Sequence, residues 1–514
     1  MRWIYFALLY CIACPVLALE APPDVQFDVA RYEITGANPL SAEEISKILK
    51  PYLGRHYGLE GLSSAVTELE RKFKEQGYSF HRVILEPQSL KQGIVRLRIY
   101  EFKLGKLNVS GNKFFTDDNI KNSLPALEQG RAPNTRNLNL NLSVANDHPD
   151  KTLQMVFKEG EKQNTIDVDL NVLDKSPHTS YAKLTNTGTE ASGEWRLGVG
   201  YQYSNLFNKD HITSINYSTS TEQPENVAQW VLSYSLPLYA SGDLISIYYS
   251  DSVIESTSSV QGLPGNFDIS GSGTVFGTRY MQGFKKQKGY KHKLIYGLDS
   301  KRFNNQILFA GNIVSGTNEL QSFPLSVEYE FSRPKSRTPF SLSVSYYVNL
   351  IDDQDAYDLE PRNPDTKWKL IRYRAKYDLP VTSWMLSLRL EGQYADEPLI
   401  SGEQFGVGGS QSVRAYEERA ILGDRGNAIN IEFWKATKNK RTKWLFFYDA
   451  AETVFNEDIG TGIIKQAPTS FGFGIRWQWG RYLSVAADVA EALEDAGETK
   501  SGDNKVHFNM TYQY

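Results

Sequence analysis

One stretch of the sequence brings together residue types that could form a charged site in a protein interior. Residues 406–432 read GVGGSQSVRAYEERAILGDRGNAINIE and place several carboxylates around Arg414. An arginine keeps its charge when it is buried, so it needs a carboxylate within reach. Asp449 ends the sequence FFYD at residues 446–449. A guanidinium forked onto one carboxylate would hold a segment in place through contacts that can also break.

The residues around Arg414 and Asp449 indicate how the two side chains could meet. If residues 444–449 form a strand, Asp449 shares a face with Phe447 and lies opposite Trp444. Gly408 and Gly409 allow backbone conformations that other residues avoid, so the segment can turn sharply there. In the alternative interpretation, Arg414 and Asp449 are ordinary solvated charges.

Other kinds of chemistry find little support in the sequence. Both cysteines, Cys11 and Cys14, lie in the first residues of the chain, and no GxxxxGK phosphate-binding run occurs. None of the seven histidines stands in an obvious constellation with serine and aspartate. The net charge of -4 gives no basic footprint for nucleic acid. We therefore predict no catalytic residue, no metal, no cofactor and no nucleic-acid partner.

The elements that would position the charged pair are strands. From residue 178 onward the chain alternates, as where Trp230 and Leu232 share one face and Ser233 and Ser235 the other. Strands of roughly 9 to 11 residues with an aliphatic and aromatic outer face fit a lipid-facing wall, and residues 178–514 hold about 16 of them. The supply of 30 Tyr, 25 Phe and 9 Trp suits the aromatic girdles of such a barrel.

Residues 25–174 mix helices and strands. Ser41 and Glu44 form a capping box, and Leu62, Leu69 and Phe73 mark a second helix that Gly77 ends. Strands follow at residues 82–85 and 93–100. The same order of elements restarts near residue 106. The repeat requires a helix at residues 137–142, but these residues alternate with period two and read as a strand.

The two ends of the chain carry further signals. Residues 1–18 are expected to be a secretory signal, with a lipoprotein site at Cys14 as the alternative. The final residues alternate and end on an aromatic, which resembles the signal that barrel-assembly machinery reads; a buried final strand is the other interpretation. The outward residues of this expected assembly signal are Phe508, Met510, Tyr512 and Tyr514.

Residues 406–432 resemble the signature loop of the two-partner secretion transporters, the hemolysin secretion/activation family. Weaker matches fall in the family's order: residues 87–93 and 109–112 resemble the end of its first and the start of its second polypeptide-transport-associated (POTRA) domain, residues 234–243 resemble an early hairpin, and residues 446–449 resemble the strand facing the loop.

The resemblance implies α+β periplasmic POTRA domains (residues 25–101 and 102–175) followed by an all-β outer-membrane barrel (residues 178–514). The implied function is capture of an unfolded secreted partner and its export through the barrel. Outer-membrane lipids and the barrel-assembly machinery are the other expected partners. The gate residues implied in the loop are Gly408, Gly409, Val413, Arg414, Tyr416, Glu418 and Asp424, and those on the anchoring strand are Phe447 and Asp449. Glu418, Asp424 and Arg425 could extend the network around Arg414.

Two departures from the family and three rival functions stay open. Ala415 stands where the family usually has glycine, and the arm leaves no room for the helix that plugs the pore in many members. An outer-membrane insertase would share the loop and the last strand but usually carries three or more POTRA units. An outer-membrane enzyme and a passive diffusion pore are the remaining alternatives.

Overall fold

The computed structural model describes residues 26–514 except residues 190–191, 226, 253–272, 285–288, 306–307, 310–311, 314–317, 335, 359, 361 and 458–463. The secretory signal predicted for residues 1–18 lies outside this range. Among the described residues, no helix has the length and apolar character needed to cross a membrane.

The chain divides into two compact units, and the first is formed mainly by residues up to Leu104. In chain order its elements are β1 (Gln26–Val29), β2 (Arg31–Gly36), α1 (Ala42–Leu49), a 3-10 turn (Lys50–Tyr52), β3 (Gly54–Tyr57), α2 (Glu60–Glu75), β4 (His81–Leu85) and β5 (Ile94–Glu101). Its sheet has the order β2-β5-β4, with β2 parallel and β4 antiparallel to β5, and β1 pairs separately with β3.

The helices of this unit form for the reasons that the sequence suggests. Ser41 Oγ accepts the Glu44 amide at 3.2 Å and the Glu44 carboxylate accepts the Ser41 amide at 3.1 Å, so the predicted capping box is present. Leu62, Leu69 and Phe73 on α2 are fully buried in the core. Both helices therefore bury one apolar stripe, as their spacing predicts.

The second unit contains most of another small α/β domain together with the barrel. The sheet of this domain has the order β6-β8-β7. Its elements are β6 (Lys103–Ser110), α3 (Asp117–Asn122), α4 (Thr135–Ala145), β7 (Lys151–Glu159) and β8 (Thr165–Asp174).

The strand predicted at residues 137–142 is wrong, because these residues belong to helix α4. Leu138, Asn141 and Ala145 are the buried residues, at helical spacing. Asn141 can occupy a buried position because its Oδ1 accepts the Ala126 amide at 2.9 Å and its Nδ2 donates to the Tyr239 carbonyl at 2.5 Å. The alternation of leucine and asparagine therefore concealed a helical face that includes a buried polar residue.

Residues from His178 onward form a closed barrel of antiparallel strands. The strands are β9 (His178–Thr185), β10 (Arg196–Leu206), β11 (His211–Ser220), β12 (Ala228–Leu238), β13 (Asp243–Ser252), β14 (Gly273–Gly283), β15 (Lys291–Asn305), β18 (Asn318–Ser322), β19 (Pro324–Arg333), β20 (Phe340–Asn349), β21 (Lys369–Val381), β22 (Trp384–Ala395), β25 (Arg425–Ala436), β26 (Thr442–Val454), β27 (Lys465–Gln466), β28 (Thr469–Trp479), β29 (Leu483–Ala492) and β30 (Asn504–Gln513). The barrel closes where β30 pairs with β9. The short strand β18 shares the edge of β15 with β19, and β27 shares the edge of β26 with β28, which leaves sixteen strands around the wall, as expected.

The remaining elements lie between barrel strands. They are the short hairpin of β16 (Leu308–Phe309) and β17 (Asn312–Ile313), helix α5 (Gln354–Tyr357), a 3-10 turn (Ser401–Glu403), and the strands β23 (Phe405–Val407) and β24 (Ile421–Gly423).

The two faces of the barrel wall differ as the alternation predicts. On β12, Trp230 and Leu232 are exposed on the outside, whereas Ser233 and Ser235 are buried on the inside. The outer surface is thus apolar and aromatic and the inner surface polar, as a lipid-facing barrel requires.

A buried polar cluster joins the second α/β domain to the barrel. The Lys151 ammonium lies 2.5 Å from an Asp210 carboxylate oxygen, and the two side chains are 0% and 1% exposed. Asp210 also accepts from Asn119 Nδ2 at 2.9 Å and from the Tyr239 hydroxyl at 2.5 Å. Burial lowers the pKa of Lys151, while Asp210 opposes this shift. Loss of either ion-pair partner would leave an uncompensated buried charge, at a cost of about 3–5 kcal/mol.

His148 lies at the same junction as a neutral ring. Its Nε2–H donates to the Ser204 carbonyl at 2.8 Å, and its Nδ1 accepts the Asp150 amide at 3.2 Å. Burial lowers the pKa of His148. A second ring proton would occupy Nδ1 and break the bond from Asp150, so protonation opposes this packing.

We expect the junction to loosen on acidification. Because burial lowers the pKa of folded His148 below its unfolded value, its contribution to stability is complete above about pH 6.5 and is lost as the pH falls below that value. Hydrogen exchange at residues 146–150, corrected for intrinsic rates, should rise between about pH 7.5 and about pH 5. His148→Gln preserves one donor and one acceptor without titrating, so its exchange should change little. Equal pH responses in the two proteins would contradict this role.

Candidate functional site

The connection between β22 and β25, residues 396–424, lies against the inner side of the barrel wall. Strands β23 and β24 pair as a short hairpin within it. Val413 and Tyr416 are fully buried against inward side chains of the wall, among them Leu445 and Phe447 on β26. The predicted gate residues Val413 and Tyr416 therefore belong to the apolar contact that seats this segment, which we call the lumen loop.

The two predicted glycines shape the turn of the lumen loop. Gly408 has φ +110° and Gly409 has φ +89°, a region that other residues rarely adopt. A Cβ atom would lie 2.2 Å from the Glu417 carbonyl oxygen at Gly408, and 2.0 Å from a Glu418 carboxylate oxygen at Gly409. Ala415 is not one of the described residues with a positive φ, so alanine at this position brings no backbone strain.

Arg414 and Asp449 are brought together. Arg414 Nε and Nη2 donate to the two carboxylate oxygens of Asp449, each at 2.8 Å, and the Arg414 amide donates to one of them at 3.2 Å. The side chains are 3% and 0% exposed. Two parallel bonds from a planar guanidinium fix the loop in orientation as well as position.

Three further groups on the wall hold this pair. Arg414 Nη1 donates to Glu432 at 2.9 Å and lies 4.0 Å from Asp488, and the guanidinium carbon lies 3.4 Å from the centre of the Phe447 ring. Glu432 and Asp488 were not predicted. The alternation INIE at residues 429–432 could have placed Glu432 on the inner face, because Ile429 points outward.

The carboxylates around Arg414 are themselves neutralised or hydrogen-bonded. Arg476 forks onto Asp488 with bonds of 2.6 and 2.8 Å. Asn430 Nδ2 donates to Asp449 at 2.8 Å and to the Ser412 carbonyl of the loop at 2.6 Å. The site is therefore a network of two guanidinium groups and three carboxylates in which each charge has partners, as a buried ion network requires.

The sequence interpretation placed Glu418 and Asp424 in the network around Arg414. In the structure neither carboxylate bonds to Arg414, and each has other partners. The Glu418 carboxylate stays within the loop and accepts from the Ser410 amide at 2.8 Å and the Ser410 hydroxyl at 3.0 Å. The Tyr416 hydroxyl lies 2.6 Å from the Glu494 carbonyl oxygen and so bonds outside the charged network.

Asp424 instead anchors the base of the lumen loop. It is fully buried, accepts from Arg362 at 2.5 Å, and takes the amides of Leu399 and Asn456 at 2.9 Å each. Arg362 comes from the connection between β20 and β21. The charge of Asp424 thus ties the loop to two neighbouring connections of the barrel.

Glu403 forms a second anchor that sequence reasoning missed. It is 1% exposed, lies 2.8 Å from Lys301 Nζ, accepts from the Ser322 hydroxyl at 3.0 Å and lies 3.4 Å from Arg372. Its partners belong to three wall strands far away in sequence, so no local pattern pointed to it.

The last strand takes part in the site through its inner face. Val506 and Tyr512 are exposed on the outer face of β30, the face shared with Phe508, Met510 and Tyr514. His507 points inward and its Nε2–H donates to the Arg414 carbonyl at 2.6 Å.

Comparisons with known proteins agree with this architecture. The family model for haemolysin secretion/activation proteins ShlB/FhaC/HecB matches residues 164–451, and the model for ShlB-type POTRA domains matches residues 27–101. The outer membrane transporter CdiB of Dickeya dadantii (strain 3937) is 24% identical over 441 residues, which cover 82% of this chain and 76% of that protein. The heme/hemopexin transporter protein HuxB of Haemophilus influenzae is 22% identical over 427 residues, covering 80% and 72%.

Among solved structures, CdiB from Escherichia coli superposes with a TM-score of 0.72 at 17% identity, covering 98% of this chain and 93% of that one. At this identity the likeness concerns the fold.

The geometry predicts that Asp449→Asn loosens the lumen loop. The substitution leaves the Arg414 charge without its main partner, at a cost of about 3–5 kcal/mol, so the loop should leave the wall more often. In planar bilayers the variant should show larger and more frequent open-channel currents than the parent protein. Asp352→Asn, at a side chain that is 76% exposed, is the matched control and should leave the currents unchanged. Parental currents from a folded Asp449 variant would rule out this pairing as the main restraint.

Proposed function

This chain belongs to the haemolysin secretion/activation protein family, and we propose that it exports one partner polypeptide across the outer membrane. It is an outer-membrane protein whose POTRA domains lie in the periplasm. The observation that carries the proposal is the lumen loop, which is held against the wall by the forked ion pair between Arg414 and Asp449 and by the polar groups around that pair.

The lumen loop is proposed to act as the gate. The gate residues are Gly408, Gly409, Val413, Arg414, Tyr416, Glu418 and Asp424, with Phe447 and Asp449 on the anchoring strand. A fork on one carboxylate is strong while it is seated, yet it can be replaced by water and by passing backbone groups once the loop moves. Asp424 and Glu403 hold the loop base separately, so the tip can move while the base stays fixed.

Capture of the client is assigned to the periplasmic sheets. In the first unit, β2 and β4 each pair with β5 on one side only among the described strands, so their outer edges can accept an added strand. An unfolded segment binds such an edge through its main chain, which suits a client that crosses before folding. Folding of the client outside the cell would then favour net export.

The rival functions have weaker support. The matching family comprises secretion and activation proteins, which favours export over the insertase function. We also propose that the chain has no enzymatic activity and that Phe508, Met510, Tyr512 and Tyr514 serve recognition by the barrel-assembly machinery. Outer-membrane lipids are the other proposed partner, and the apolar outer wall supports this proposal.

Removing the gene is expected to remove one secreted protein. Quantitative mass spectrometry of culture supernatant and cell surface should show loss of a single large polypeptide, while other outer-membrane barrels stay at normal levels. Expression of the wild-type gene should restore it, whereas Arg414→Ala should assemble but restore much less. Arg441→Ala, at an exposed turn residue, is the control that should restore export fully. Broad loss of barrels would mean an insertase, and full export by Arg414→Ala would remove its role in the gate.

Deletion of the first domain tests client capture. A protein lacking residues 26–101 should insert its barrel, seen as an unchanged heat-dependent shift on electrophoresis, but should no longer bind the client or export it. The reason is the loss of the edges of β2 and β4. Wild-type export by the truncated protein would show that this domain is dispensable.

A further inference from the structure

Four side-chain pairs repeat at the periplasmic end of the barrel. In each, the first or second residue of a strand that runs outward from the periplasm bonds the hydroxyl of a tyrosine on the next long strand of the wall. The pairs are His178 with Tyr201 at 2.7 Å, His211 with Tyr234 at 2.5 Å, Asp243 with Tyr280 at 2.7 Å and His292 with Tyr329 at 2.7 Å. They occupy β9/β10, β11/β12, β13/β14 and β15/β19, which are consecutive pairs around the wall.

The geometry of the pairs is the same. His178 lies opposite Tyr203 and His292 lies opposite Phe331, and in both cases the bonded tyrosine stands two residues earlier on the partner strand. The other two pairs repeat this offset. The tyrosines share the outer, lipid-facing surface of the wall, since Tyr201, Tyr280 and Tyr329 are about 40% exposed there. Because the four pairs lie at the same depth of the wall, they form one segment of the ring of aromatic side chains, or girdle, at this end of the barrel.

The rest of the girdle has a different chemistry. At corresponding positions on β22 and β26, Trp384 stacks on Phe433 with ring centres 4.8 Å apart and Trp444 stacks on Phe473 at 5.5 Å. Aromatic stacking needs no polar ligand, whereas an imidazole at a lipid surface presents a ring nitrogen that needs a partner. The girdle therefore has histidine–tyrosine and aspartate–tyrosine bonds on the arc from β9 to β19. On the arc from β22 to β28 it has stacked aromatic rings, with the Lys435 ammonium 5.7 Å from the centre of the Trp384 ring.

Asp243, which occupies the position of a histidine in one of the four pairs, shows which partner donates in these bonds. A carboxylate can only accept, so Tyr280 donates to Asp243, and the three tyrosines in the same geometry donate to the histidine Nδ1. Each neutral ring then carries its proton on Nε2. Among the described residues, none of these three Nε2 atoms has a protein partner. The arc thus turns three N–H donors toward the membrane.

The charges beside the arc favour an anion. Lys209 is exposed in the turn just before His211, and Phe207 in the same turn is 70% exposed. Asp243 is 5% exposed and accepts from Tyr280 and from the Gly283 amide, so its charge is directed into the wall. Donors, one ammonium group and an apolar wall together match a phosphate with attached acyl chains.

We propose that His178, His211 and His292 form a binding arc for the phosphodiester headgroups of phospholipids in the periplasmic leaflet. The imidazole N–H groups donate to phosphate oxygens, and the acyl chains pack on the apolar wall beyond the tyrosines. This assignment concerns the surface of the barrel and does not depend on the exported client.

Lipid retention in native mass spectrometry tests the arc. Full-length protein in detergent is supplied with phosphatidylglycerol or with a phosphate-free galactolipid of the same acyl chains. Replacing all three histidines by phenylalanine keeps the rings and removes the donors, so phosphatidylglycerol should bind about tenfold more weakly at each position. Galactolipid binding should not change. The triple glutamine variant keeps an N–H donor at each position and should recover most of the binding.

Control variants distinguish loss of the histidine donors from a general loss of folding or of lipid binding. Trp384→Phe with Trp444→Phe removes two N–H donors from the aromatic arc and should leave phosphatidylglycerol binding intact. Heat-shift electrophoresis reports folding, and the single His211→Phe variant serves if the triple variant does not fold. Equal retention by parent and phenylalanine variant, or equal loss of both lipids, would overturn the proposal. Complete displacement of phosphatidylglycerol by inorganic phosphate would also overturn it, because the arc would then be a site for free anions.

Discussion

A permanent charge inside the barrel is the constraint around which this molecule is organised. Arg414 cannot be neutralised, so the wall must supply carboxylates where the loop meets it, and Asp449, Glu432 and Asp488 come from three strands. Those strands must keep one register for the carboxylates to converge, and Asn430 lies opposite Asp449 in that register. The outward aliphatic and aromatic residues that fix the wall in lipid therefore also fix the charges that receive the loop.

The lumen loop is held by two kinds of attachment that differ in chemistry. Its tip is seated by the fork of Arg414 on Asp449, by the bonds from Asn430 and His507, and by apolar contacts of Val413 and Tyr416. Its base is fixed by Asp424 and Glu403, each with several partners. Because the base has buried ion pairs of its own, the tip can leave the wall while the base stays attached. The buried cluster of Lys151 and Asp210 similarly makes the second periplasmic domain and the barrel wall one body.

Much of this arrangement could be predicted from the sequence, and the failures have physical causes. The capping box, the alternating strands and the special backbone at Gly408 and Gly409 depend on residues close in sequence, so local patterns reveal them. The pairing of Arg414 with Asp449 combined alternation with a family resemblance. Glu403 escaped because its charged and hydroxyl partners lie 31, 81 and 102 residues away in sequence. Helix α4 was misread because a buried asparagine satisfied by distant backbone groups made an amphipathic helix resemble a strand.

The bond from His507 to the Arg414 carbonyl connects closure of the barrel wall with seating of the lumen loop. His507 lies on β30, the strand whose pairing with β9 closes the wall. A barrel whose seam is still open lacks one of the contacts that seat the loop, and a displaced loop deprives the closing strand of an inner partner. A closed seam and a seated loop therefore stabilise each other, through this imidazole and through the ion pair between Lys505 on β30 and Glu417 of the loop.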